Sequence, residues 1–474
     1  MKKCLILIFI CIAMTLGLAA CSEAPSSEDN NPPANPNLRS IGFNLNGFFG
    51  SPELPIQYKE IGEKVSEPQA PERMGYSFEG WYTSAAGGEQ WDFDTPIADY
   101  MTLWARWALL EFTVTFDLAQ GEGETPQAQT VNYLEYVEKP ALTPEKEGFV
   151  FAGWWKGASS EELEQEWNFA TDITLENITL YVGWAQEGTN SEFNYLELDN
   201  CIKITGYPGD DEEEESLTIP NTIDDKPVLS IGENAFSNSY KSSITLPDSL
   251  TTINKKAFYR CINLGVVDIP DSVTSIGEHA FESCEWVYNV KLGTGVRVVG
   301  KRAFYGCKRV GFTQSAKLKI PSNVIIIQDE AFNVDTYEND ALEYLEFNYG
   351  IEVIGESAFR YTNILKIKFP DSLHTIGDEA FYKSQNLKTI EIGKGIKSIG
   401  SDAFKECHTH VYVVIYAKEP PVLGSSTAFG QNTSARTGFF ITIENSSSLS
   451  AYKTAPNWSS YASVMIGVIV GDKL

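Results

Sequence analysis

Histidine is scarce in this chain of 474 residues, which has only His279, His374, His408 and His410. That scarcity removes the commonest general acid–base group and a favoured metal ligand from most of the sequence. No Gly-x-Ser-x-Gly, His-Glu-x-x-His or phosphate-loop pattern occurs. His408-Thr409-His410 offers two ligands, which do not complete a metal site. His279 falls where other copies of its motif carry Asn, Lys, Arg or Glu, so it is expected to be exposed. The chain is therefore expected not to be an enzyme and to hold no metal and no cofactor. Positive charge is short too: 36 Lys and Arg stand against 64 Asp and Glu, a net charge of −28. Nucleic acid demands a basic footprint, so this balance argues against it, and adsorption onto anionic lipid is disfavoured.

Long apolar runs are missing after the first residues, and Val464 to Val470 is too short to span a bilayer. The start differs. Met1-Lys2-Lys3 leads into an apolar run from Cys4 to Leu18, then Ala19-Ala20-Cys21, which reads as a secretory signal peptide over residues 1–20. The Leu-Ala-Ala-Cys ending resembles a bacterial lipobox, which implies lipidation of Cys21; an ordinary signal peptide with an incidental cysteine is the alternative. Residues 21–39 hold almost nothing to bury and are expected to be a disordered tether. Loss of residues 1–20 takes Lys2 and Lys3 away, moving the net charge from −28 to about −30, and leaves six of the eight cysteines.

What the chain has in quantity is repetition. Ala-Phe occurs nine times, with phenylalanines at 236, 258, 281, 304, 332, 359, 381, 404 and 429. A period in the low twenties is the mark of a solenoid, one supersecondary unit stacked many times. In one coil, Leu387, Ile390 and Ile392 form a short inward-facing strand, Ile396 and Ile399 a second inward segment, and Ala403-Phe404 close the coil on a short helical turn. Glycine follows the second isoleucine at 232, 277, 300, 355, 377 and 400, which implies positive φ or too little room for a Cβ. Asn254 replaces it once, as a left-handed residue would allow. Gln328 replaces it in another coil, where an altered turn is expected.

Residues 40–109 and 110–188 hold a longer repeat, present twice. Gly75-Tyr76-Ser77-Phe78-Glu79-Gly80-Trp81-Tyr82 matches Gly148-Phe149-Val150-Phe151-Ala152-Gly153-Trp154-Trp155. Phe43-Asn44-Leu45, Trp91-Asp92-Phe93 and Leu103-Trp104-Ala105-Arg106-Trp107 also recur, at 116–118, 167–169 and 180–184. The second copy replaces the Gly87-Gly88 pair with Ser159 to Glu166, so a longer hairpin is expected. The tryptophans are the core of a small β domain or a sugar-stacking platform. This pattern resembles the Listeria–Bacteroides repeat, which implies a β-grasp-like fold used as a spacer or auxiliary binding unit.

Residues 193–474 carry Ile/Leu-Pro-Asp-Ser-Val/Leu-x-x-Ile-Gly-x-x-Ala-Phe-x-x-Cys coils, with Pro-Asp-Ser at Pro247, Pro270 and Pro370. This combination resembles the BspA-like leucine-rich-repeat family of bacterial surface proteins. The resemblance implies a mainly β chain, two small repeat domains followed by a capped leucine-rich-repeat solenoid. It also implies adhesion, with host extracellular-matrix or bacterial surface proteins as partners. Cysteines three residues after Phe (Cys261, Cys284, Cys307 and Cys407) invite either disulfides or a ladder of buried thiols, and Cys201 has no evident partner.

Between the inward residues of each first strand lies an outward one: Thr245, Asp268, Lys291, Lys319, Glu346, Lys368 and Glu391. Stacked strands would align them in one ladder on the concave face, flanked by Tyr288, Tyr344, Lys366 and Lys388. The ladder is a protein-recognition surface or a solvated sheet face. Insertions near Gly311 to Ser315 and Val334 to Asp340 are further places for function or for tolerated loops. Asp210 to Glu215, six acids in a row, lack the glycine-punctuated spacing of a calcium loop and read as solvated. The expected function is that of a monomeric cell-surface lipoprotein, membrane-attached through its lipid alone and facing outward, whose solenoid binds a macromolecule while the N-terminal repeats act as a stalk. A carbohydrate-capture accessory protein and a structural envelope protein are the alternatives.

Overall fold

The computed structural model describes residues 37–46, 54–208, 215–311, 317–334, 342–408, 411–430, 438–443 and 446–469. The signal segment, Cys21, most of the tether, His410, the acidic run up to Glu214 and most of both insertions lie outside the described residues. In the first repeat, β1 (Leu38–Asn44), β2 (Gln57–Glu60), β3 (Tyr76–Tyr82) and β4 (Met101–Leu109) form a sheet in the order β2-β1-β4-β3. The second repeat has the same pairing through β5 (Glu111–Asp117), β6 (Gln129–Asn132), β7 (Val150–Gly157) and β9 (Ile178–Thr189), and adds β8 (Leu163–Glu166). The longer hairpin expected from Ser159 to Glu166 is this added strand. Trp81, Trp154 and Trp155 are all buried, so these tryptophans are core residues.

The solenoid repeats one coil built from two short parallel strands and a closing pair of tight turns. Every inward position named in the coil around Leu387 is buried, from Leu387 and Ile390 through Ile399 to Phe404. The Ala-Phe pair recurs for a backbone reason as well as an apolar one. Each Phe N–H from Phe236 to Phe404 donates to the Ala carbonyl of the next coil, as from Phe258 to Ala280 (2.8 Å) and from Phe281 to Ala303 (2.7 Å), and the last, Phe429, donates to Tyr461 Oη (3.1 Å). A buried backbone needs such partners, and this column provides them where no sheet exists. The residue before each Ala except the last, Ala428, is left-handed, with φ of 59° at Asn234, 58° at His279 and 52° at Glu379. Phenyl rings of successive coils stack 5.0 to 5.3 Å apart from Phe236 to Phe429. The 28-residue step from Phe304 to Phe332 keeps this spacing at 5.1 Å.

The recurrent glycines are there for space. None of the six has positive φ. A Cβ on Gly300 would lie 2.4 Å from the Ile276 carbonyl oxygen, and one on Gly400 would lie 2.4 Å from the Gly377 carbonyl carbon. Asn254 is not left-handed, contrary to the expectation. Gln328 does not alter the turn either, since its N–H bonds the Val299 carbonyl (3.0 Å) as Gly300 bonds Ile276 (2.9 Å). Both side chains instead leave the solenoid to meet the second repeat.

Among the described residues Cys201, Cys261, Cys284, Cys307 and Cys407 form no disulfide. Cys261, Cys284 and Cys307 donate in turn to the Phe236, Phe258 and Phe281 carbonyls at 3.1 to 3.2 Å. Burial pushes the Cys284 thiol well above its ordinary range. The thiol ladder is the arrangement present.

The second repeat does not stand clear of the solenoid. Strand β9 is 12 residues long, and its far half pairs with β10 (Asn194–Glu197), which pairs with β11 (Ile202–Gly206) and so with the solenoid's second sheet. The repeat therefore lies along that sheet. Glu166, 6% exposed, accepts from Lys203 Nζ (2.5 Å), Ser230 Oγ (2.5 Å) and Asn254 Nδ2 (2.9 Å). Further along, Gln328 donates to Tyr136 Oη (2.7 Å) and to the Ala170 carbonyl (2.8 Å). Tyr133 Oη donates to Glu352 Oε1 (2.8 Å). Between these bonds, Ile173 packs in one apolar cluster with Val298, Ile325 and Ile326.

Two outcomes follow from this seam. Glu166→Ala would leave Lys203 partly buried without its counter-ion, a defect that costs about 3–5 kcal/mol, and should lower the unfolding midpoint of the intact chain in denaturant. Burial pushes the Asp172 carboxyl from 3.8 up to about 6, even though Gln165 and the Asn168 N–H donate to it. A raised acid pKa means the folded state holds the proton more tightly. Its contribution favours folding below about pH 4 and is lost as pH rises from about 4 to about 6. Asp172→Asn should remove this part of the pH dependence, leaving the variant at pH 7 at least as stable as the native chain in thermal unfolding.

Candidate functional site

The expected outward ladder is present on the first sheet. Asp268 is in register with Lys291, Lys291 with Lys319, Lys319 with Glu346, and Lys368 with Glu391. Alternation in three-residue strands sets this arrangement, because the residues on either side face the core. Thr245, Asp268, Lys291, Lys319, Glu346 and Lys368 are exposed, and Glu391 is half-buried. Pairing breaks between Phe347 and Lys366, so the ladder runs over a six-stranded and a five-stranded sheet. Tyr288 is exposed, whereas Tyr344 is half-buried and its backbone is used to bond Gly311 and Leu318.

The charges of the ladder are largely answered within it. Lys291 bonds Asp268 at 3.0 Å, Lys366 bonds Glu391 at 2.8 Å, and Lys317 bonds Glu346. The neighbouring Asp268 holds the Lys291 ammonium above its ordinary range, and Lys317 holds the Glu346 carboxyl below its own. The ladder therefore presents mixed charge, three lysines against three acids with Lys291 and Lys319 adjacent, suited to register-specific contact rather than to long-range attraction.

The ladder continues past the residues that the sequence singles out. Val414 is in register with Glu391, and the same row leads two strands further on to Ile466, 54% exposed, while Tyr412, two residues before Val414, is 55% exposed. The face changes from charged to apolar at its C-terminal end. The alternation in Tyr412-Val413-Val414-Ile415 could have revealed this extension.

The second sheet has a different fate. Its outward positions Ser230, Thr252, Ser275, Val298 and Ile326 are buried, Val353 is half-buried, and Val422 is 72% exposed. The second repeat covers the first part of this row. A sequence signal existed: the outward residue is Thr or Ser at 252, 275, 375 and 398 but Val, Ile and Val at 298, 326 and 353. Among the described residues no group of three His, Cys, Asp or Glu is placed to hold a metal. His279, expected to be exposed, is only partly so and lies against Glu282. His374 lies 3.4 Å from Glu352.

Residues 211–335 and 312–432 match a family model described as BspA type leucine rich repeat region, in six copies. Residues 40–106 and 112–182 match the Listeria-Bacteroides repeat domain. A putative membrane protein of Evansella cellulosilytica is 37% identical over 151 residues, 31% of this chain and 21% of the relative. Internalin H of Listeria monocytogenes is 38% identical over 122 residues, 25% of this chain and 21% of the relative. The chain thus spans about a fifth of the length of these curated relatives. A leucine-rich repeat protein of Bacteroides ovatus, solved by crystallography, aligns at 20% identity with a TM-score of 0.35, covering 59% of this chain and 82% of that one.

Because the ladder pairs are exposed, they should matter little to folding. Asp268→Ala and Lys291→Ala, singly or together, are expected to change unfolding free energy by less than about 1 kcal/mol in denaturant titrations. A larger loss would mean that the ladder holds coils together.

Proposed function

Because this chain is a BspA-like leucine-rich-repeat protein with two N-terminal Listeria–Bacteroides repeats, we propose that it is a surface adhesion module whose solenoid binds a protein partner through the first sheet. The partner is a host extracellular-matrix protein or a protein on another bacterium. One observation carries the choice of face: the second repeat occupies much of the other sheet, from Ser230 to Glu352, while the first sheet keeps its outward side chains exposed. Mixed charge gives register, and the apolar end at Tyr412 and Ile466, together with Tyr288 several coils earlier, supplies burial for affinity. In this reading the chain is exported and held to the membrane by lipid on Cys21. The first repeat, whose Tyr76 packs against Tyr133 of the second, and the tether then act as the spacer.

The test is binding of the mature chain to immobilised matrix proteins and to intact bacterial cells. A Lys291→Glu, Lys319→Glu, Lys368→Glu triple variant should lose at least tenfold in affinity for any partner found, with its unfolding midpoint unchanged. Equal binding by the triple variant would place recognition elsewhere. Protease added to intact cells should clip the solenoid, and complete protection would contradict an outward-facing adhesin. Cys21→Ala should release the protein from the membrane fraction.

A further inference from the structure

Where the second repeat meets the solenoid, a cleft of about 440 Å³ remains, within the range of about 300–1,000 Å³ usual for small-molecule sites. One wall comes from the second repeat, where Phe151 and Phe169 are half-buried beside the buried Trp154 and Trp167. The other wall comes from solenoid residues including Lys203, Asn254 and Lys255. Both walls are firmly held. The Glu166 carboxylate ties Lys203 and Asn254 to the second repeat, and Lys203 Nζ also donates to the Ala152 carbonyl at 3.1 Å. Strand β9 runs from one wall's domain into the sheet that carries the other.

The lining identifies the chemistry of the occupant. Lys139, Lys203 and Lys255 stand against Glu166, Glu233 and Glu278, so the cleft is neutral in a chain of net charge −28. Two of these cations are already matched, Lys203 with Glu166 at 2.5 Å and Lys255 with Glu278 at 3.2 Å. A charged ligand finds no counter-charge in surplus. A wholly apolar one would strip water from the lysines, glutamates and asparagines and replace none of their hydrogen bonds. What fits is a neutral molecule with an apolar C–H face for aromatic rings and hydroxyls for amides, ammoniums and carboxylates. The Trp167 indole N–H, in a side chain 5% exposed, has no acceptor within the protein.

We propose that the cleft between the second repeat and the solenoid binds a short segment of neutral polysaccharide. The rings of Phe151 and Phe169 stack on sugar faces, and Asn254, Lys255 and Glu233 bond hydroxyls from the solenoid side. The site is separate from the first-sheet ladder and stands or falls independently of protein adhesion.

The test is isothermal titration of the mature chain with neutral glucan, xylan and mannan oligosaccharides, beside polygalacturonate and sulfated oligosaccharides as charged controls. At least one neutral series should bind. Phe169→Ala should weaken it tenfold or more, and Phe169→Tyr, which keeps the ring, should retain it. Glu233→Arg, an exposed change on the opposite wall that needs no core repacking, should weaken it as well. The ladder triple variant should bind sugar as the native chain does. Binding of charged oligosaccharides alone, no binding of any neutral series, or native affinity in both Phe169→Ala and Glu233→Arg would overturn the proposal.

Discussion

Equivalent residues in successive coils sit about 5 Å apart, and the solenoid depends on that spacing. It is the spacing of parallel strands, so any column that obeys it can hydrogen-bond, stack or pair with itself. The phenylalanine column does so with rings 5.0 to 5.3 Å apart and 2° to 12° from parallel. Cysteine thiols, Ala-to-Phe backbone bonds and the outward charges follow the same pitch. Because neighbours in a column are nearly in contact, little can grow between coils, which is why the recurrent glycines leave no space for a Cβ.

A stacked array has long faces and needs something to distinguish them. Here the second repeat does so. Its sheet runs into the solenoid through β9 (Ile178–Thr189), its hairpin end is locked by Glu166, and its loops rest on Val298, Ile325 and Ile326. A buried carboxylate with three donors is costly to break and therefore fixes the seam in one register. The consequence for function is directional: one sheet is largely covered and the other is left exposed.

Much of the solenoid was legible because its rules repeat. The inward residues, the closing Ala-Phe and the outward ladder all follow from strand alternation and a period in the low twenties. The seam was harder to read because its evidence lies in departures from the repeat. Asn254 and Gln328 replace glycine, and both reach the second repeat. Val298, Ile326 and Val353 replace outward Thr or Ser under the same cover. Glu166 lies in the segment that replaced Gly87-Gly88, legible as a longer hairpin but not as a latch, since its partners are distant in sequence. Single exceptions look like drift until a second domain is placed against them.

The most direct measurement of this account is hydroxyl-radical footprinting of side chains in the intact protein, read by mass spectrometry. If the second repeat covers one sheet and leaves the other open, Tyr288, Tyr412 and Ile466 should label readily while Val298 and Ile326 remain protected. Comparable labelling of Val298, Ile326 and Tyr412 would contradict a covered second sheet and remove the reason for choosing the first as the recognition face.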